Sequence, residues 1–262
     1  MTTPGPHDPT GQVPRPSATV ALLRDGPAGG VEVYVQRRSA GVALGGVWVF
    51  PGGRIDAADS DEGLDGHWAG PAPAWWAGRL GAEVDLARGA VAAACRETLE
   101  EAGVLLADRP VPPEAVAAAR AGLLDGRALA EVLAGLGVRL DTGLLRYWGH
   151  FVTPAGEARR FDTRFFLAAL PPGAAVAPHG LEADQERWVA PAAGDGGLAQ
   201  VMLPPTRLTL RSLAGFAGVA DALEAGRERP VPRVEPVLDG DDIVLDDGER
   251  FPCAVRLLRG PP

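Results

Sequence analysis

The spacing of apolar positions divides this chain into elements. "SATVALLR" (17–24) and "VEVYVQR" (31–37) are rich in β-branched residues and flank "DGPAGG", which predicts a β-hairpin. "GGVWVFPGG" (45–53) reads as a short apolar strand ended by Pro51-Gly52-Gly53. From Arg54 to about Arg88 no period holds, and an irregular stretch that long inside a domain is often functional. Over 89–106 a helical period takes over: Val91, Cys95, Leu99, Ala102 and Leu106 form one stripe, with Gly103 suited to a left-handed helix end. Residues 112–137 predict two short helices broken near Asp125-Gly126. Residues 144–154 and 159–170 predict paired strands, 186–191 a further strand, and 205–226 one helix. Strands and helices interleave, so the class is α/β or α+β, layered around one sheet.

Composition narrows the class. No apolar run reaches the roughly 18 residues of a membrane span. The first 16 residues lack a basic start and an apolar core, so they read as a flexible Pro/Gly tail and not a secretory signal. Residues 17–262 then form a single domain, with an extension from about 227. All 25 basic residues are arginine and the net charge is −9, which argues against nonspecific nucleic-acid binding. Cys95 and Cys253 make no disulfide or metal spacing, in keeping with a cytoplasmic protein.

The candidate chemistry lies in "CRETLEEAG" (95–103). At 100° per residue, Glu97, Glu100 and Glu101 fall in a sector of about 100°, opposite Cys95, Leu99 and Ala102. Arg96 stands four before Glu100, within reach along the helix. On a shielded surface each like-charged pair would repel by roughly 3 kcal/mol at about 6 Å and an effective dielectric of about 20. A divalent cation reverses that sign, and hard oxygen donors suit Mg²⁺. Taken alone, E-x-x-E-E is more often a plain solvated face.

The surroundings change the weighing. "REtlEEaGv" resembles the second half of the Nudix box, G-x5-E-x7-R-E-U-x-E-E-x-G-U, and "FPGG" resembles its start, with Gly53 as the first glycine. Two departures stand out. The family places its arginine 14 after the glycine, whereas Arg96 follows Gly53 by 43, an excess of 29. Counting eight back from Arg96 gives Arg88 where the family has glutamate; counting six forward from Gly53 gives Asp59. Thr98 replaces an aliphatic residue. An insertion inside the box, here about 54–88, is similar to the acyl-CoA diphosphatase branch.

The resemblance implies a Nudix-type α/β/α sandwich around a mixed sheet, with the insertion between Gly53 and the helix. It implies Mg²⁺ or Mn²⁺ on Glu97, Glu100 and Glu101, with Arg96 orienting the glutamates and Glu97 or Glu182 helping to activate water. The implied substrate is a small nucleoside diphosphate linked to another group. Coenzyme A or acyl-CoA comes first, ADP-ribose or a dinucleotide second, and a catalytically silent nucleotide sensor is the competing class. Whether the chain pairs as a homodimer is left open.

Other residues offer phosphate contacts. Arg37 and Arg38 end a strand leading to Gly52 and Gly53, and Arg160 and Arg164 share a strand face with Asp162. Arg160 and Arg164 read equally as a salt-bridged surface, and for Arg37 and Arg38 the phosphate role is the less favoured reading. Trp68, Trp75 and Trp76 read as packing the irregular stretch down in preference to stacking on a base. No lysine is present, so no P-loop is, and no G-x-S-x-G appears.

Overall fold

A computed structural model describes residues 11–41, 44–177, 182–194, 197–198 and 201–252. Strand β1 (Arg15–Asp25) pairs antiparallel with β2 (Val31–Arg38) at one end only, Leu23 opposite Val33. Beyond that point the two strands part. Strand β3 (Trp48–Val49) pairs with β2, and β4 (Gly52–Arg54) pairs with β1 through Gly53 opposite Ala18. The expected apolar strand at 45–53 is thus two short pieces bridging a split.

Two 3-10 turns follow (Ala57–Ser60 and Glu62–His67), then β5 (Trp68–Ala69), α1 (Pro73–Leu80) and the long α2 (Val84–Ala102). Helices α3 (Pro113–Leu124) and α4 (Leu129–Leu136) break at Asp125-Gly126 as the sequence suggests. After β6 (Leu140–Asp141) come the antiparallel pair β7 (Arg146–Val152) and β8 (Phe161–Ala169), then β9 (Ala183–Val189). Helices α5 (Pro204–Leu213) and α6 (Val219–Ala225) precede β10 (Arg233–Val234) and a small meander of β11 (Val237–Asp239), β12 (Asp242–Val244) and β13 (Arg250–Pro252).

The main sheet runs β10-β7-β8-β1-β2-β3, with β4 beside β1 and β9 beside β2. It is mixed, because β8–β1 and β10–β7 are parallel. Alternation along the strands sorts the core. Ala18, Val20, Leu22 and Phe166 pack against α1 and α2, while Ala21, Leu23 and Leu167 pack under α5 and α6. This is the expected α/β/α sandwich. Among the described residues no helix is long and apolar enough to cross a membrane.

Several boundaries differ from the sequence reading. Helix α2 begins at Val84, before Gly89. A Cβ at Gly89 would lie 2.4 Å from Ser60 Oγ and 2.6 Å from Ile55 Cγ2, so this glycine lets a turn press against the helix and does not mark its start. The helix ends at Ala102, where Gly103 takes φ 68° and donates its N–H to Leu99 O. Leu106 is buried beyond the helix. The stretch 54–88 is built, not irregular. The single helix expected over 205–226 is two, parted at Gly215 and Gly218. Arg15 and Pro16, expected in the tail, open β1 opposite Phe161 and Asp162; residues 1–10 lie outside the described residues, as does Cys253.

Candidate active site

The site assembles where β2 and β4 meet the C-terminal half of α2. Gly52 and Gly53 sit in β4 with no room for side chains. A Cβ on Gly52 would lie 2.5 Å from the Thr19 side chain, and one on Gly53 would lie 2.1 Å from Glu97 Oε1. The paired glycines therefore let the carboxylate face of α2 press onto the strand. Glu97, Glu100, Glu101 and Glu182 line one cavity of about 490 Å³, together with Gln36, Asp125 and the apolar Ala121, Leu124 and Ala183. Of the described residues that line it, none carries a positive charge.

Arg96 organises this face. Its Nε and Nη2 donate to the two oxygens of Asp59 at 2.9 Å each, and Nη1 donates to Glu97 Oε1 at 2.9 Å and Glu100 Oε2 at 3.0 Å. Asp59 is 1% exposed. Asp59 thus occupies the acidic position six after Gly53, and the extra residues enter after it. Arg88, the alternative from back-counting, is buried against Asp65, Asp85 and Ser60 O instead. Thr98 is fully buried and donates to Ala94 O at 2.7 Å, so its hydroxyl is satisfied within the helix.

Glu101 is held differently. Its Oε2 accepts from Gln36 Nε2 at 2.5 Å and from Gly52 N at 2.9 Å. From α3, Arg120 donates to the carbonyls of Glu100 and Glu101 at 2.8 and 3.1 Å, which satisfies the helix end and complements its dipole. The sequence reading missed both Gln36 and Arg120. A signal existed for Gln36, a polar residue on the buried face of an apolar strand, in step with Tyr34. None existed for Arg120, whose role depends on how α3 docks.

Crowding shows in the acidities. Burial, with the Glu100 and Asp59 charges, pushes Glu97 up to about 7 against the pull of Arg96. Burial also raises Glu100, again opposed by Arg96. Glu101 lies well above the usual carboxylate range, through burial and the neighbouring Glu97. For Arg96, burial pulls downward, but Asp59, Glu97 and Glu100 outweigh it and hold the guanidinium charged. Arg96 compensates only part of the negative charge of this cluster of hard oxygen donors, which in donor chemistry fits Mg²⁺ or Mn²⁺. Among the described residues no three His, Cys, Asp or Glu side chains already converge at ligand distance. Their oxygens are turned to Arg96 and Gln36.

The remaining expected contacts separate. Arg38 is not among the cavity's lining residues; its charge pulls the pKa of Glu101 downward, against burial and the neighbouring Glu97. Arg37 alternates to the other face and forms a two-pronged pair with Asp184 at 2.7 and 2.9 Å. Arg160 and Arg164, expected as substrate contacts, are not among the residues that line the cavity. Arg160 is buried, bonded to Thr153 O, Gln12 O and Glu235. Arg164 is buried beside Asp162, which also accepts from His150 at 2.6 Å. Trp68 and Trp76 pack down, while Trp75 is half exposed. Cys95 is buried, and that burial pushes its thiol up to about 12, so it is chemically quiet.

Comparison with other proteins bears on the same residues. No family model matches the chain. Human acyl-coenzyme A diphosphatase NUDT19 is 30% identical over 298 aligned positions, spanning 90% of this chain and 78% of that protein. The crystal structure of a NUDIX hydrolase from Alicyclobacillus acidocaldarius is 32% identical, with a TM-score of 0.68 over 84% of this chain and 100% of that one.

Proposed function

The chain belongs to the Nudix hydrolase superfamily, and from that premise we propose that it is a Mg²⁺- or Mn²⁺-dependent diphosphatase that cleaves the phosphoanhydride of coenzyme A or an acyl-CoA. The observation that carries this reading is the single cavity lined by Glu97, Glu100, Glu101 and Glu182 with no cationic lining residue among those described. A diphosphate cannot approach five acidic side chains, Asp125 included, unless cations stand between them. The volume of about 490 Å³ suits a small molecule.

Each residue has a task in this reading. Glu97, Glu100 and Glu101 would hold the cation, which supplies charge neutralisation to the diphosphate and lowers the pKa of a water. Arg96, anchored on Asp59, bridges Glu97 and Glu100 through one nitrogen and so fixes their orientation. Glu182 lines the cavity from the turn ahead of β9 and has no ion-pair partner among the described residues, so it is our choice to take the proton from the attacking water. Arg38 supplies positive charge near Glu101 for a phosphate. Ala121, Leu124 and Ala183 give the same cavity an apolar lip, and Leu124 is 44% exposed there. An acyl or pantetheine chain offers matching apolar surface, which favours a CoA-type substrate over ADP-ribose or a dinucleotide.

The test is a panel of CoA, an acyl-CoA, ADP-ribose and NADH with Mg²⁺ or Mn²⁺, comparing wild type with Glu101→Gln. Release of a 3′,5′-ADP-type product from the CoA substrates, dependent on metal and lost in the variant, is expected. Turnover of ADP-ribose or NADH alone would overturn the substrate assignment. Tight binding with no turnover of any member would make the protein a sensor.

A further inference from the structure

Gln36 belongs to no part of the box, yet it touches the box's last glutamate. It lies in β2, held between Val49 of β3 and Glu186 of β9, so its backbone is fixed on both edges. It is 2% exposed, and its side chain lines the cavity beside Glu97, Glu100 and Glu101. Glu101 must be ionised to hold a cation, and an ionised carboxylate only accepts hydrogen bonds, so in that form the amide turns its NH₂ toward Glu101 and its carbonyl away. The geometry agrees: Nε2 donates to Glu101 Oε2 at 2.5 Å, and Oε1 has no hydrogen-bond partner among the described residues. Gly52 N donates to the same Oε2. Both donors therefore engage one oxygen of Glu101, and no protein donor among the described residues engages the other.

We propose that Gln36 is a positioning residue for the cation: with Gly52 N it locks Oε2 of Glu101, which would leave Oε1 free to serve a bound metal, and its own buried carbonyl would accept from a water in the cavity. The inference rests on the metal-dependent reading above and adds to it a residue that acts through Glu101. A buried side chain on a doubly paired strand is a stiffer support than a loop residue would be. An unpartnered buried carbonyl is costly to keep, and a cavity water is the partner its position allows.

The experiment measures Mn²⁺ binding by the electron paramagnetic resonance of free Mn²⁺, on wild type, Gln36→Met and Gln36→Asn. The Met variant keeps length and loses both polar atoms. The Asn variant keeps the amide but is one methylene too short to reach Glu101. Mn²⁺ affinity is expected to fall about 10- to 100-fold in both, as for other groups that orient a metal ligand. The melting temperature of the metal-free variants should not fall in parallel, and KM for substrate at saturating Mn²⁺ should stay near wild type. A dissociation constant within twofold of wild type in both variants overturns the proposal. A measurement on the wild type stands even if a variant misfolds: the Gln36 side-chain NH₂ signals in nuclear magnetic resonance must shift as Mg²⁺ is added, and signals that stay in place overturn it equally. Wild type that binds no Mn²⁺ at all would instead sink the metal-dependent reading itself.

Discussion

Asp59 and Arg96, 37 positions apart in the chain, close on each other through two parallel hydrogen bonds of 2.9 Å. That pair bridges the interruption in the box: it ties the turn after β4 to the carboxylate face of α2, with the extra residues looped out between the two partners. Bidentate guanidinium–carboxylate pairs are strong and directional. Removing one partner of a buried pair costs about 3–5 kcal/mol, because the other is left uncompensated. Asp59→Asn is therefore expected to lower the unfolding free energy by up to about that amount and to reduce kcat about tenfold or more, as Arg96, still bonded to Glu97 and Glu100, loses the anchor that fixes its position. Chemical denaturation and steady-state kinetics on one preparation check both, and unchanged kinetics would show that the pair is structural only.

Gly53→Ala tests how closely the strand meets the helix. The new Cβ would overlap Glu97 Oε1, since 2.1 Å is far inside contact distance. Gly53 has no positive φ, so the backbone itself tolerates alanine. The displaced group is a side-chain tip, which makes the expected loss one of metal binding and turnover, about tenfold or more, with little change in the melting temperature. Isothermal titration with Mn²⁺ alongside a thermal melt separates the two effects.

How far the site was legible depends on the kind of contact. Glu97, Glu100 and Glu101 were readable because helical geometry is local, and three acids at those spacings must share a face. The split between β1 and β2 was not, because two strong strands joined by a turn read as a full hairpin, and only tertiary packing reveals that β4 takes β1's edge. That Arg160 and Arg164 would lie outside the cavity lining was not legible for a related reason. Strand alternation gives the face of the sheet but not what lies over it, and there Glu235 and Asp162 had already claimed the guanidinium groups. Asp59 was reachable by counting forward from Gly53, but the sequence offered Arg88 by counting backward with equal authority.

The acidity of Glu97 gives the metal response a pH dependence. Its value is raised from 4.5 to about 7 in the folded chain. Between those values the folded state holds a proton that the unfolded state has lost, so the metal-free protein loses stability as pH rises through that window. Above about 7 the charge is present and a cation can compensate it; near 5.5 the cation must displace a proton. The rise in melting temperature given by saturating Mn²⁺ is expected to be larger at pH 8 than at pH 5.5. Differential scanning fluorimetry at the two values checks it, and an equal or reversed difference would mean that Glu97 does not take part.

The segment between Asp59 and α2 is expected to be a structural part of the domain and not a detachable recognition loop. Trp76 on α1 is 1% exposed and meets Phe166 of β8 edge-on at 5.8 Å. Arg88 on α2 reaches back to Asp65 in the second 3-10 turn and to Ser60 O, and Gly89 admits Ser60 and Ile55 at close range. These contacts bury the early half of α2 from the side that a bare sheet-and-helix pair would leave wet, which is why residues 87–95 are buried all round. Trp76→Ala opens a large cavity beneath α1 and is expected to cost about 3–5 kcal/mol. Trp75 is adjacent in sequence but 50% exposed, so Trp75→Ala should cost under about 1 kcal/mol, the usual range at surface positions. Deleting residues 60–85 should give an unfolded or aggregating chain, because it removes α1 and leaves Arg88 charged and buried without its carboxylate at Asp65. Urea denaturation of the two point variants, with circular dichroism of the deletion, decides the matter. A deletion variant that melts like wild type would show that the segment rides on the fold instead of completing it.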